Sequence, residues 1–447
     1  MPTFNGTGSG INVTNFGPRQ DLPTLNGPNQ TVIADIDGDG KPDLIVVDDY
    51  NHAISIYRNI STNRILTTAS FAPPVVLPAT SGSYSPYGIA VADLDGDGKL
   101  DIVVTEYGDN LVSVFKNNCT PGNITTNLFG PRLDFPTGSQ LQRMAAADLD
   151  GDGKPDLIVA NPGDGTISIL QNISEGGVIN FPPKVDIATG AGCCAVAVGD
   201  VNGDGKPDIV AANTDGMLLV LQNVINAPGT ITTNSFEPKI SLPVPSGAVD
   251  VAIVDIDGDG KPDLTVTSYL PQLFSIIQNL SNSGELSANS FGQRIDYPLG
   301  GRGHTISVGD LEGDGKPDLV VDTELKSTIS IFHNQSTPGI LTNVRCPARL
   351  NWPPVGMPGA LPSAIWLATV DPTSSLPIPT TTIFPFTKTW RHSARWLRPL
   401  RPSQYLRWQL KAAPPASLSP LLVPGRSAIN GDLTTKTFPA RRMARSF

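Results

Sequence analysis

Histidine and cysteine are nearly missing from this chain, with four of each in 447 residues. Cys119, Cys193, Cys194 and Cys346 have no metal-ligand spacing and the histidines are scattered, which excludes a zinc site of the usual kind. The vicinal pair Cys193 and Cys194 stands just before a strand-like run and reads as incidental burial rather than redox chemistry. No apolar run approaches 18 residues, so a membrane-spanning helix is not expected. No GxSxG, HExxH, P-loop or dinucleotide fingerprint occurs, so no nucleophile with its base and no phosphate cradle can be assembled, and the chain is not expected to be an enzyme. Charged residues make up only 16%, and the net charge of -10 argues against nucleic acid as a partner. The opening MPTFNGTGSG lacks the basic start and apolar stretch of a secretory signal.

What the chain has in quantity is glycine, 44, and proline, 42, set between short Val- and Ile-rich runs. That composition describes a loop-rich, all-β chain. Charge divides it in two. Residues 1–345 carry a balance of -21, residues 346–447 one of +11, and all five tryptophans fall in the second segment. The two segments are therefore read separately.

Within residues 1–345 the same loop recurs six times. It reads DIDGDGKPD from Asp35, DLDGDGKLD from Asp93, DLDGDGKPD from Asp148, DVNGDGKPD from Asp200, DIDGDGKPD from Asp255 and DLEGDGKPD from Asp310, at intervals of 58, 55, 52, 55 and 55 residues. A fixed period of this length signals stacked units or blades. In the second repeat GIAVAD reads as a short buried strand before the loop, DIVVT as a second after it, and LVSVFKN as an alternating third. A fourth is expected from the F-x-P-[RK]-like segments at Phe16, Phe71, Phe129, Phe181, Phe236 and Phe291, which keep the same spacing. Four short strands per unit predict a β-propeller of four-stranded blades with six recognisable repeats.

The aspartates need a counterion. Two carboxylates at roughly 4 Å repel by about 4 kcal/mol at an effective dielectric near 20. Oxygen ligands at alternating positions, with no His or Cys, suit hard Ca²⁺, which accepts six to eight oxygens in flexible geometry. In the first loop the ligand set is Asp35, Asp37, Asp39, the Lys41 carbonyl and Asp43. In the second it is Asp93, Asp95, Asp97, Lys99 and Asp101; in the third, Asp148, Asp150, Asp152, Lys154 and Asp156. The fourth loop offers Asp200, Asn202, Asp204, Lys206 and Asp208, the fifth Asp255, Asp257, Asp259, Lys261 and Asp263, and the sixth Asp310, Glu312, Asp314, Lys316 and Asp318. The expectation is up to six structural calcium ions. An EF-hand starts similarly but needs Glu at its twelfth position and flanking helices. Here those positions are Val46, Val104, Val159, Ala211, Val266 and Val321, which excludes it.

These loops between strands, with FGPR at Phe16 and Phe129, resemble the FG-GAP or VCBS repeats of the integrin α-chain amino-terminal propeller and its bacterial relatives. The resemblance covers residues 12–345. It implies a calcium-braced propeller, usually seven-bladed, used for adhesion or for carbohydrate and protein recognition. It also implies a ligand on the face opposite the calcium loops, where chain direction places Tyr50, His52, Tyr84, Tyr87, Tyr107, Arg143, Tyr269, Arg302 and His304. The expected partner is a protein or a glycan, with no nucleic acid and no insertion into a membrane. A propeller lectin and a non-catalytic scaffold of a polysaccharide-degrading enzyme are the alternatives. Extracellular modules bind calcium at about 10⁻⁴–10⁻³ M, so loops of this kind point outside the cell or to its surface, and the missing signal to a fragment of a longer secreted protein.

The basic segment, residues 346–447, breaks the pattern where the next F-x-P-R segment is due. Read one nucleotide out of phase, residues 350–389 permit a peptide containing VGDLAGNGGPD, whose first Asp falls about 55 residues after Asp310. The tail is therefore expected to be a frameshifted, disordered seventh repeat of a seven-bladed ancestor. With six inner triplets and six outer strands in frame, the ring can close as six blades or leave a gapped seven.

Overall fold

The computed structural model describes residues 22–339, apart from 26–27, 63–66, 80–84, 191, 271, 283, 300, 312–313, 324–327 and 337. They belong to the larger of two compact units, Met1–Thr389; the other, Trp390–Phe447, lies outside the described residues, as do Phe16, Tyr84, Glu312 and everything expected of the tail and of the 345/346 boundary.

The described residues form a six-bladed β-propeller. The first blade is β1 (Pro28–Ala34), β2 (Asp43–Asp48), β3 (Ala53–Tyr57) and β4 (Val75–Pro78), and the second β5 (Pro86–Ala92), β6 (Asp101–Glu106), β7 (Leu111–Phe115) and β8 (Leu133–Pro136). The third is β9 (Met144–Ala147), β10 (Asp156–Asn161), β11 (Thr166–Leu170) and β12 (Val185–Ala188), and the fourth β13 (Cys193–Gly199), β14 (Asp208–Asn213), β15 (Met217–Leu221) and β16 (Ile240–Pro243). The fifth is β17 (Ala248–Val254), β18 (Asp263–Ser268), β19 (Leu273–Ile277) and β20 (Ile295–Pro298). The sixth shows β21 (Gly303–Gly309), β22 (Asp318–Thr323) and β23 (Thr328–Phe332), three strands among the described residues. Each sheet is an antiparallel meander in sequence order, and the innermost strands pack in succession, β1 on β5, β5 on β9, β9 on β13, β13 on β17 and β17 on β21.

The second strand of each blade explains the sequence best. Strands β2, β6, β10, β14 and β18 are buried at every position, because both faces of a middle strand are covered, by neighbouring blades for β6 to β18 and, on one face of β2, by Leu22 with Tyr57 and Phe71. Successive side chains point to opposite faces. Thus Ile45 and Val47 join Ile89, Ile102 and Val104 between the first and second blades, while Leu44 and Val46 pack on Leu22, Tyr57 and Phe71. Val103, one residue out of phase with Ile102, faces Leu157 and Val159 of the third blade. Two-sided burial turns the usual alternation into continuous runs such as LIVV, and each such side chain contributes roughly 1.5–3 kcal/mol. Outer strands such as β12 alternate between half-buried and exposed.

The fourth strand comes from the Phe segments as expected. Phe71, Phe129, Phe236 and Phe291 bridge Asn59, Asn117, Asn223 and Asn279 just ahead of β4, β8, β16 and β20. All five described Phe landmarks, Phe181 included, are buried.

Candidate metal centres

Every aspartate loop joins the first strand of a blade to the second, so all six gather at one end of the strands. The first carboxylate organises the loop. Asp35 accepts from the Asp39 N–H at 3.0 Å and the Gly40 N–H at 2.8 Å. Asp93, Asp148, Asp200, Asp255 and Asp310 repeat this pair of bonds onto Asp97 and Gly98, Asp152 and Gly153, Asp204 and Gly205, Asp259 and Gly260, and Asp314 and Gly315. The coil requires glycine where the chain turns left-handed, as at Gly38 (φ 71°) and Gly40 (φ 84°). One oxygen of the third residue accepts from the fifth residue's N–H (Asp37 from Asp39, 3.1 Å), and one oxygen of the fifth accepts from the lysine N–H (Asp39 from Lys41, 3.0 Å).

The remaining oxygens converge. Carboxylate oxygens of Asp35, Asp37 and Asp39 lie within 4.8 Å of one another, as do those of Asp93, Asp95 and Asp101, of Asp148, Asp150 and Asp156, and of Asp255, Asp257 and Asp259. Asp37 Oδ2 is buried without a hydrogen-bond partner. Burial first, then the neighbouring Asp39 carboxylate, raises the Asp37 carboxyl above its usual range, and Asp257 is raised by burial and by Asp259. An all-oxygen set with an orphaned buried oxygen and mutual repulsion fits a hard divalent cation. In the fourth loop Asn202 keeps the turn, accepting from the Asp204 N–H at 3.0 Å, but its amide nitrogen is turned to the Gly284 carbonyl at 2.5 Å.

The ninth residue has a second task. Asp43 is fully buried; its Oδ2 accepts from Ile36 N–H at 3.1 Å and its Oδ1 from Asn59 N–H at 2.7 Å. Asp101, Asp156, Asp208, Asp263 and Asp318 make the same two bonds, to Leu94 and Asn117, Leu149 and Asn172, Val201 and Asn223, Ile256 and Asn279, and Leu311 and Asn334. This residue therefore fastens loop to third strand, besides adding a carboxylate beside the converging oxygens. Burial lifts Asp43, Asp156 and Asp263 to about 7 and Asp101 and Asp208 to about 6. The lysines at the seventh position, expected to supply a carbonyl, send Lys41 and Lys154 amines to 3.6 Å from Asp39 and 3.5 Å from Asp152.

Sequence reasoning missed the two residues that follow the third strand: Arg58–Asn59, Lys116–Asn117, Gln171–Asn172, Gln222–Asn223, Gln278–Asn279 and His333–Asn334. Their signal was an Asn at the same period as the loops. Five of these Asn side chains reach the loop of the preceding blade: Asn117 donates to the Ile36 carbonyl (2.7 Å), Asn172 to Leu94 (2.8 Å), Asn223 to Leu149 (2.7 Å), Asn279 to Val201 (2.6 Å) and Asn334 to Ile256 (2.7 Å), while Asn59 donates to Pro42 of its own loop. The residue before it reaches forward, to a glycine carbonyl of the next blade: Gln171 to Gly229, Gln222 to Gly284 and Gln278 to Gly339. Loop and blade junction are one hydrogen-bonded unit.

At the opposite end of the strands, the residues expected to meet a ligand divide. Tyr50 is exposed, and His52, Tyr107, Tyr269 and Arg302 are half-buried, with the Arg302 guanidinium 4.4 Å over the Tyr269 ring. Tyr87, Arg143 and His304 are buried. Arg143 reaches from the third blade across to Asp250 of the fifth, Nε to Oδ1 3.4 Å. Ala195, with a single methyl, holds the equivalent register position in the blade between them. Burial, with the Arg143 charge second, pushes His304 down to about 3. Burial also pushes the Cys193 and Cys194 thiols up to about 12 and Cys119 to about 11, which leaves them unreactive.

Repeated four-stranded blades, each with an Asp-Gly loop between its first two strands, define a propeller with aspartate loops at one end of its strands. The chain belongs to the FG-GAP-like repeat family, which matches residues 35–104, 93–159, 148–211 and 201–266. It is 28% identical over 267 residues to integrin alpha pat-2 of Caenorhabditis briggsae, covering 52% of this chain and 21% of that protein. It is 25% identical over 338 residues to cartilage acidic protein 1 of Xenopus tropicalis, covering 67% of this chain and 49% of that protein. The chain thus spans about a fifth of the first relative and half of the second. Among solved structures it is similar to a functionally unknown protein from Desulfotomaculum acetoxidans at 14% identity and TM-score 0.45, covering 72% and 89% of the two chains; the fold assignment rests on the strand pairings instead. Among the described residues no helix is long and apolar enough to cross a membrane.

Proposed function

We propose that this propeller is a non-catalytic, extracellular adhesion or interaction module whose loops hold calcium as a structural brace. The observation that carries the reading is the convergence of carboxylates in four loops, with Asp37 Oδ2 buried and unpartnered. Calcium, when bound, supplies the positive charge these carboxylates lack. The loop N–H groups hold each carboxylate in place, and the Asn and ninth-Asp bonds pass that order to the adjoining blade. The integrin and cartilage acidic protein relatives support an extracellular interaction role. Low-affinity calcium loops suit the millimolar calcium outside cells.

The ligand, a protein or glycan, docks on the end opposite the loops, where Tyr50 and the Arg302–Tyr269 stack present area. Tyr and Arg are the side chains that most often anchor interfaces. Immobilised full-length protein, tested for cell attachment and against a glycan array with calcium and with EGTA, examines this. Calcium-dependent attachment weakened by Arg302→Ala is expected. Binding indifferent to both, or cleavage of a polysaccharide by the purified chain, would refute it.

A further inference from the structure

The six loops are nearly the same in sequence, but the side chain that leans on each third residue is not. In the third and fifth blades it is a neutral amide. Gln171 Nε2 donates to Asp150 Oδ2 at 2.8 Å and to the Gly229 carbonyl at 2.5 Å; Gln278 Nε2 donates to Asp257 Oδ2 at 2.6 Å and to Gly339 at 3.3 Å. In the first blade the Arg58 guanidinium bonds to the Gly122 carbonyl and stays 4.0 Å from Asp37 Oδ2. In the second blade the position holds Lys116. Its ammonium is ion-paired with Asp95 Oδ2, lies 3.7 Å from Asp97 Oδ2, and donates to the Gly177 carbonyl of the next blade at 2.7 Å. Asp95 is fully buried at its side chain, so this pair is poorly screened.

Resting on the calcium reading above, we infer that Lys116 is a tethered cation standing in for part of the metal's charge in the second loop. It makes that loop a weaker calcium site than those of the third and fifth blades. A Ca²⁺ entering among Asp93, Asp95 and Asp101 must either accept an ammonium beside it or displace it from Asp95. Both lower the affinity of this loop below that of the third and fifth. The glutamines at the equivalent places offer Asp150 and Asp257 only a dipole. A second consequence concerns the metal-free protein. Lys116 bridges the second loop to Gly177 through an ion pair, so without calcium the junction of the second and third blades is held more firmly than the junctions bridged by the neutral Gln171 and Gln278 amides. As the ion is depleted, calcium occupancy then falls at the second loop before the third and fifth, with less structural effect there.

The test is calorimetric calcium titration of the full-length chain as wild type, Lys116→Gln and Gln171→Lys, at one ionic strength. Lys116→Gln should tighten one site by about 100-fold, the order expected from removing a unit charge a few ångströms from a divalent ion in partly screened surroundings. Gln171→Lys, the reciprocal change in another blade, should weaken one site by a similar factor. Melting in EGTA supplies a second readout, in which Lys116→Gln should be less stable than wild type although it binds calcium better. Calcium uptake that is the same in all three proteins overturns the inference and leaves the calcium reading standing. No uptake by any of them overturns both.

Discussion

Asn172 is the hinge pin between the second and third blades, and its removal puts a number on the blade-junction network. Its side chain is fully buried and satisfies partners on both sides: Nδ2 donates to the Leu94 carbonyl in the second aspartate loop at 2.8 Å and to Pro155 at 3.1 Å, and Oδ1 accepts from the Ser174 N–H at 2.9 Å. Asn172→Ala leaves two carbonyls, the Ser174 N–H and the Ser174 hydroxyl, which also donates to Asn172 Oδ1, without these partners where water has little access. Each abandoned group costs about 1–3 kcal/mol, and with some relaxation of the carbonyls the sum is about 3–5 kcal/mol. Asn172→Asp should cost at least as much, since a carboxylate faces the same two carbonyls with no proton to give. The assay is urea unfolding of the full chain with calcium present, comparing midpoints at unchanged slope. Asn118→Ala is the control, because Asn118 is exposed and uses only its backbone N–H, so its effect should stay within about 0.5 kcal/mol. A loss below about 1 kcal/mol for Asn172→Ala would show that the bonds from blade to loop add nothing to stability, and the coupling of loops to blades would fall with it.

Three further outcomes are expected. His304 is buried neutral with its pKa down to about 3, so the folded state binds fewer protons than the unfolded chain between there and the usual value near 6.5. Its contribution is complete above pH 6.5 and is lost as pH falls toward 3, by on the order of 5 kcal/mol. The raised carboxyls of Asp48 and Glu106 act in the opposite sense over much of that window, so the difference between wild type and His304→Gln, followed against pH, isolates the histidine. Gly153→Ala places a side chain at φ 86° and should lower stability by about 1–2 kcal/mol in a melting experiment; an unchanged midpoint would refute the left-handed coil of the loop. Cys119, Cys193 and Cys194 should resist iodoacetamide at pH 8 until the protein is unfolded, and rapid alkylation read by mass would contradict their burial.

The repeat period made the blades legible, because an antiparallel unit that cannot bury its own faces must recur in register with its neighbours. The four strands of a blade were readable from GIAVAD, DIVVT, LVSVFKN and the Phe segment, which correspond to β5–β8. The convergence of carboxylates, found in four of the loops, was readable as well from aspartates spaced so closely. Two things were not. Asn117 or Asn172 looks like an ordinary polar strand end, because its partner lies about 80 residues back in the preceding blade, at Ile36 or Leu94. The burial of Tyr87, Arg143 and His304 was also hidden, since strand order places them at the end opposite the loops but does not say how deep they lie. Arg143 of the third blade finds Asp250 of the fifth, a pairing that no local pattern announces.

Thermal unfolding of the full chain in millimolar calcium and in EGTA bears most directly on the braced loops. Binding to the folded state alone must stabilise it, so calcium should raise the midpoint, and a 100-fold excess over the dissociation constant is worth about 2.7 kcal/mol per site. An Asp150→Asn, Asp257→Asn double variant should lose part of that rise while changing little in EGTA. A midpoint indifferent to calcium, with no heat of binding, would reduce the aspartate loops to turns and contradict the account.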